Sequence, residues 1–227
     1  MRALPATLLT GLTAVAVAAC GGGGAKDNGV ASKSPAAILA AAQSAVQSAK
    51  SVHLVGSVVS SGQPVRLDLD ILSGRGAKGQ ISESGLSFQI LASGSTVYIK
   101  GSSAFLQHFA GGTAAQIFAG KWLKGTATGQ LAAIGQFTNL PGLFGQLIAG
   151  HGTLTKGATT TIAGQKVVGV TDAQKGGTMY VATTGTPYPL QVSKSGSTGG
   201  SLTFNHYNES VALSPPQGAI DISQFQK

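Results

Sequence analysis

The chain of 227 residues has a single cysteine, Cys20, so no disulfide can form within it. Stability must come from a packed core, and with 42% hydrophobic residues the composition can supply one. Charge is scarce. Only 10% of residues are charged, with 15 Lys+Arg against 7 Asp+Glu and a formal net charge of +8. The cations Lys78, Lys100, Lys121, Lys124, Lys156, Lys166, Lys175 and Lys194 are scattered, without an aromatic-interleaved run. A nucleic-acid partner is therefore not expected. The four histidines, His53, His108, His151 and His206, have no ligand spacing, and no thiol is left to join them, so no metal site is expected. No apolar stretch after the first twenty residues is long enough to span a bilayer. The phosphate-loop and dinucleotide fingerprints are missing, as is a Gly-x-Ser-x-Gly nucleophile turn between strand and helix. Nothing thus designates a catalytic residue or a cofactor.

What is present begins at the N-terminus. Arg2, the largely apolar run from Leu4 to Ala16, and small residues ahead of Cys20 make the three-part layout of a secretory signal. The segment Val17-Ala18-Ala19-Cys20 resembles the lipobox of bacterial lipoproteins. That resemblance implies cleavage before Cys20 and a diacylglycerol thioether on its sulfur. Each buried methylene contributes ~0.8 kcal/mol, so two or three acyl chains hold a protein on a membrane where one does not. The alternative is an ordinary secretory signal that ends in cysteine by chance. The run Gly21 to Gly24 favours the lipoprotein, because a tethered domain needs a flexible leader. The expected organisation is a signal over 1–19, a lipidated linker over 20–33 and one folded domain over 34–227. The expected location is the extracytoplasmic face of the cell membrane.

Ser34-Pro35 reads as an N-cap and first helical position, and Ile38, Leu39, Ala42, Ala45, Val46 and Ala49 recur at helical spacing up to Lys50. The period then changes to two. Val52 to Val59, Val65 to Ile71, Gly79 to Glu83, Leu86 to Leu91 and Thr96 to Lys100 predict short strands parted by Gly-Ser turns. In the second of these, Val65, Leu67, Leu69 and Ile71 alternate with Arg66, Asp68 and Asp70, giving one apolar and one wet face. Residues 102–150 are rich in Phe and Leu at helical spacing, broken by Gly and Pro. Strands are again expected over 151–162, 165–172, 178–183, 189–194, 201–207 and 210–213. The fold class expected is α+β: an antiparallel sheet with an N-terminal helix and a helical insertion that covers something apolar.

Asp68 and Asp70 form a carboxylate pair of the kind used by glycosidases or calcium sites, but Arg66 shares their face, which favours a solvated outer surface. Asn208-Glu209-Ser210 matches a glycosylation sequon by chance in a bacterial context. The apolar sheet face and the apolar insertion either seal into a solid core or enclose a cavity. Periodicity alone does not separate these.

The order of features resembles the actinobacterial LppX/LprG-type lipoproteins, which are related in fold to the lipoprotein carrier LolA. The lipobox, the first helix, Val52-His53-Leu54-Val55-Gly56, the Asp-rich strand, Thr96-Val97-Tyr98-Ile99-Lys100, Ala119-Gly120-Lys121-Trp122 and the late strand reaching Pro215-Pro216 carry the resemblance, over roughly Ser34 to Phe225. It implies a strongly curved half-barrel whose concave face, closed by helices, holds the acyl chains of a lipid or glycolipid and carries them across the envelope without catalysis. A membrane transporter is then an expected partner besides the membrane that holds Cys20. The implied lining residues are Leu67, Leu69, Ile71, Phe88, Ile90, Val97 and Ile99 from the sheet. From the lid they are Phe105, Phe109, Phe118, Trp122, Phe137, Phe144 and Leu147. Two other readings stand beside this one. In the first, the same half-barrel senses lipid or grips a partner protein without transport. The second is a hydrolase, which would need Asp68 and Asp70 to face a cavity.

Overall fold

The computed structural model describes residues 26–222. The signal, Cys20 and most of the glycine-rich leader lie outside the described residues.

Helix α1 spans Pro35–Ser48. Ser34 caps it, its hydroxyl accepting the Ala37 N–H at 3.4 Å, and Pro35 presets the first turn. The helix buries Ile38, Leu39, Ala42, Ala45 and Val46. It stops at Ala49, where the backbone turns extended to enter the sheet.

Five antiparallel strands follow as a meander: β1 (Ser51–Ser60), β2 (Gln63–Leu72), β3 (Gly76–Glu83), β4 (Leu86–Ser93) and β5 (Thr96–Gly101). The insertion contains α2 (Ser103–Phe118), β6 (Leu123–Thr126), α3 (Ala132–Gly135) and α4 (Leu140–Ile148). A second meander comprises β7 (Leu154–Ile162), β8 (Gln165–Asp172), β9 (Gly177–Ala182), β10 (Pro189–Lys194) and β11 (Gly200–Asn205). The short β12 (Ile220–Asp221) pairs parallel with β6.

All the strands form one sheet in the order β12-β6-β5-β4-β3-β2-β1-β11-β10-β9-β8-β7. The pairing of β1 with β11, from His53↔Asn205 to Val58↔Gly200, joins the two meanders. The sheet is large, antiparallel except at β12, and open, so the fold is an α+β half-barrel. Two glycines let the backbones close up within it. A Cβ on Gly56 (φ 146°) would lie 2.0 Å from the Ser201 carbonyl, and one on Gly79 (φ 149°) 2.0 Å from that of Asp68.

The concave face carries the core. Val52 and Leu54, Leu69 and Ile71, Ile90, Val97, Val168 and Val170, Met179 and Val181, and Leu202 and Phe204 form one cluster with Ile38 and Val46 of α1. Ile134, Leu140 and Phe144 of the insertion close it from above. Full burial of side chains this size contributes ~1.5–3 kcal/mol each. A smaller cluster of Val167, Ala182 and Leu190 sits on the convex face under Tyr180, Tyr188 and Tyr207.

The structure corrects three expectations about strands. Residues 210–213 form none: Val211 and Leu213 are half-buried while Ala212 is exposed, so their alternation comes from lying against the convex face without ladder partners. Leu123–Thr126, expected within a helical region, pairs with β5 instead. The strand expected from His151 begins at Leu154.

The register also defines the two ends of the half-barrel. At one rim lie the β1–β2 turn, the β8–β9 turn (173–176), the β10–β11 turn (195–199) and the Gly101 end of β5. Helix α2 leaves the sheet at that rim and the chain rejoins it there at Leu123.

Candidate functional site: an apolar cavity at one rim

A cavity of about 300 Å³ opens at this rim. Its floor is the concave face of the second meander: Val170 of β8, Met179 of β9, Val192 of β10 and Leu202 of β11. Leu39 of α1 and Val58 of β1 form a wall. Leu147 and Ile148 at the end of α4, with Leu154 at the start of β7, bound the remaining side. The two-residue alternation of each strand puts one apolar side chain per strand on this floor. Gly199 and Gly200 let the backbones close up at this rim: a Cβ on Gly199 would lie 2.2 Å from the Lys194 carbonyl, and one on Gly200 2.3 Å from that of Ser57.

The polar groups of the cavity are gathered at its rim: His151, Asp172, Lys175, Thr178, Lys194 and Thr198. Asp172 is buried and fully engaged by backbone. Gln174 and Lys175 donate their N–H groups to its Oδ1 at 2.8 and 2.9 Å, and Gly152 donates to Oδ2 at 3.0 Å. The N–H groups of Lys175 and Gly152 hold its carboxyl below the usual carboxylate range. Desolvation opposes this, and the Gln174 N–H and the Lys175 charge add to it. Asp172 therefore clips the β8–β9 turn to the chain entering β7. The Lys175 ammonium donates to the Gly150 carbonyl, which fixes it on the same rim. Lys194 ends β10 and is exposed.

The candidate lining residues fall into separate groups. Leu147 borders this cavity, and the others are not among its lining residues. Leu69, Ile71, Ile90, Val97 and Phe144 are fully in the core, while Leu67, Phe88, Ile99 and Phe137 pack against it half-buried. Phe105 stacks between Phe88 and Phe109 at ring-centre distances of 4.7 Å each. Phe118 and Trp122 are half-buried, and Phe109 is 66% exposed. Helix α2 is bent at Gly111, whose φ of 82° and ψ of 168° break the helical run, and it buries only Leu106. The cavity residues that sequence reasoning passed over, Met179, Val192 and Leu202 above all, carry the same alternation as the first meander.

The carboxylate pair stands away from this cavity. The His53 Nδ1 lies 2.9 Å from Asp70 and its Nε2 lies 3.7 Å from Asp68, while the Lys78 ammonium is 4.0 Å from Asp70. Among the described residues no group of three His, Cys, Asp or Glu is placed to hold a metal ion, and no helix is long and apolar enough to cross a membrane.

No protein-family model matches the sequence, and no curated protein matches it. Solved structures do. The chain superposes on LprF from Mycobacterium bovis with a TM-score of 0.54 at 16% identity, over 86% of this chain and all of that one. The lipoprotein LppX from Mycobacterium tuberculosis matches with a TM-score of 0.49 at 20% identity, over 80% of this chain and all of that one. At this identity the likeness to LprF is one of fold: the chain has the LprF half-barrel.

Proposed function

We propose that the protein is a non-enzymatic envelope lipoprotein that shelters acyl chains in this cavity and carries them through the aqueous envelope, anchored through Cys20. The observation that carries the reading is the coincidence of three things at one rim. The apolar cavity opens there. The large hydrophobics exposed among the described residues, Phe109, Ile117 and Leu147, all belong to helices ending there. The cationic side chains Lys175 and Lys194 stand there too. A protein that exchanges acyl chains with a lipid surface needs apolar contact beside its opening, and exposed apolar side chains rimmed by cations meet that need.

The energetics favour a carrier. Each methylene sheltered from water is worth ~0.8 kcal/mol, so even a short acyl segment crosses water with a much lower barrier inside such a cavity. Release requires only that cavity and membrane be nearly isoenergetic, which needs no catalytic group. In this reading Leu67, Leu69, Ile71, Phe88, Ile90, Val97 and Ile99 form the bed on which the lid residues Phe137 and Phe144 rest. Leu147 reaches the cargo. Phe105, Phe109, Phe118 and Trp122 belong to the apolar rim. A membrane transporter that loads or unloads the cavity would meet the same rim.

The test is native mass spectrometry of protein purified from its own envelope, with lipid extraction of the same sample. Stoichiometric acyl lipid, lost on Val192→Trp, is the expected result. Protein that stays empty after incubation with envelope lipids would sink the carrier reading. The exposed aromatic stack of α2 would then favour a partner-binding module on the same fold.

A further inference from the structure

The size and charge of the rim say more about the cargo, if the cavity holds acyl chains as proposed above. We infer that it takes one acyl chain bearing an anionic headgroup, such as a fatty acid or a lysophospholipid, with the headgroup against Lys194 and Lys175.

Chain number follows from volume. The cavity measures about 300 Å³. An apolar cavity of about 150 Å³ takes one benzene, so this one takes roughly a dozen carbons. That is most of one acyl chain, with its polar end left at the opening. Two chains would need a cavity several times larger. In the other half of the sheet that space is occupied by Ile134, Leu140 and Phe144, which are packed into the core.

Headgroup charge follows from what the rim offers. Asp172 is the only carboxylate among the described residues that line the cavity, and three backbone N–H groups already occupy both its oxygens. The sequence has no Asp or Glu between Glu83 and Asp172, so neither α4 nor β7 brings another acid to the opening. Glu209, the next acid along the chain, is engaged with His206 at 2.8 Å. Neither Lys175 nor Lys194 has an ion pair among the described residues, and the ammonium of Lys175 is held on the rim by the Gly150 carbonyl. Lys175 adds its charge to the hold on Asp172 and Lys194 has no described carboxylate within ion-pair distance, so the open end of the apolar slot carries a net positive charge that complements a negative charge at the end of an alkyl chain. The hydroxyls of Thr178 and Thr198, also on the rim, add neutral donors. A neutral headgroup gains only the latter.

The inference is tested by displacement of the neutral probe N-phenylnaphthylamine from full-length protein. The competitors are palmitate, palmitoyl-lysophosphatidylglycerol, palmitoylglycerol and dipalmitoyl phosphatidylglycerol, each below its micelle concentration. The two anionic single-chain lipids should compete at about tenfold lower concentration than palmitoylglycerol, the effect of one charge-assisted contact. The two-chain lipid should compete poorly. Lys194→Glu should abolish the anionic preference, and added salt should weaken it. Lys166→Glu, exposed at the opposite end of β8 from this rim, should leave it intact. The milder pair Lys194→Gln and Lys175→Gln gives the same readout if the charge reversal misfolds.

Equal competition by palmitate and palmitoylglycerol, unmoved by the lysine variants, would overturn the anionic headgroup while leaving the acyl cavity standing. Strong competition by the two-chain lipid would overturn the single chain. A probe that binds but is displaced by no lipid would overturn the inference. So would a probe that never binds, and that result would remove the acyl cavity itself as well.

Discussion

The two halves of the sheet are built from the same two-residue alternation and end up different inside. On β2 to β5 the inward residues Leu69, Ile71, Ile90 and Val97 are at most 1% exposed, sealed under Ile134, Leu140 and Phe144. On β8 to β11 the inward residues Met179, Val192 and Leu202 border open volume. The strands do not decide which half is solid. The connections do: the insertion lands its apolar residues on the first meander, and its last turn, at Leu147 and Ile148, only reaches the edge of the second. A half-barrel with one lid that is too short for it has a core and a cavity side by side.

That contrast can be broken by paired truncations. Ile71→Ala empties a site with no free space around it and should cost about 3 kcal/mol, transfer plus residual cavity. Val192→Ala removes less, from a half-buried side chain that already borders a void, and should cost under ~1 kcal/mol. Urea denaturation of the two variants measures the difference. Equal losses would mean that the second half is as tightly packed as the first.

The convex face offers a smaller effect on the cavity half alone. Tyr207 donates its hydroxyl to the Pro189 carbonyl at 2.8 Å and stacks on Tyr188 at 3.9 Å between ring centres. Burial, and secondarily Tyr188, pushes its hydroxyl well above the usual tyrosine range. A raised folded-state value means stability that is complete below the unfolded value of about 10 and is lost as pH rises beyond it. Tyr207→Phe should cost ~1 kcal/mol at neutral pH, the worth of one hydrogen bond. The stability gap between wild type and variant should shrink in alkaline solution. A gap that stays constant to high pH would mean that the hydroxyl is not sheltered.

How much of this was legible beforehand follows the same division. Ser34-Pro35 announced α1, and the alternation Val65, Leu67, Leu69, Ile71 placed the concave face in correct phase, because Arg66, Asp68 and Asp70 admit no other. The antiparallel α+β class was legible because nearly every strand is parted from the next by a glycine turn. Strand β6 was not: its four residues include Gly125 and follow an apolar helical stretch, and only the neighbouring β5 makes them a strand. Val211 and Leu213 misled in the opposite sense, since packing on a sheet imposes the same alternation as belonging to one. The cavity was invisible for a deeper reason. Met179 and Leu202 look no different in sequence from Leu69 and Ile90, and whether an inward side chain meets a helix or a void is settled by where a remote insertion lands.

The subtlest distinction between the halves lies at the rim, where the cavity side is tied by Asp172. Its carboxyl is held below the usual range chiefly by the Lys175 and Gly152 N–H groups, so its contribution is present above the unfolded value of about 3.9 and is lost as pH falls through the lower folded value. Asp172→Asn keeps one acceptor oxygen and loses the other. At neutral pH the amides of Gly152, Gln174 and Lys175 should exchange faster in the variant, with little change in global stability because the loss is confined to one turn. As the pH falls below about 4, protonation brings the wild type toward the variant. The β8–β9 turn should therefore loosen in acid while the β2–β5 core, whose described ionisable groups include no buried carboxylate, keeps its protection. Hydrogen exchange across this pH range reads both halves in one sample. Simultaneous loss of protection in the two halves would show that the rim clip belongs to the global unfolding unit and not to a separate, softer mouth.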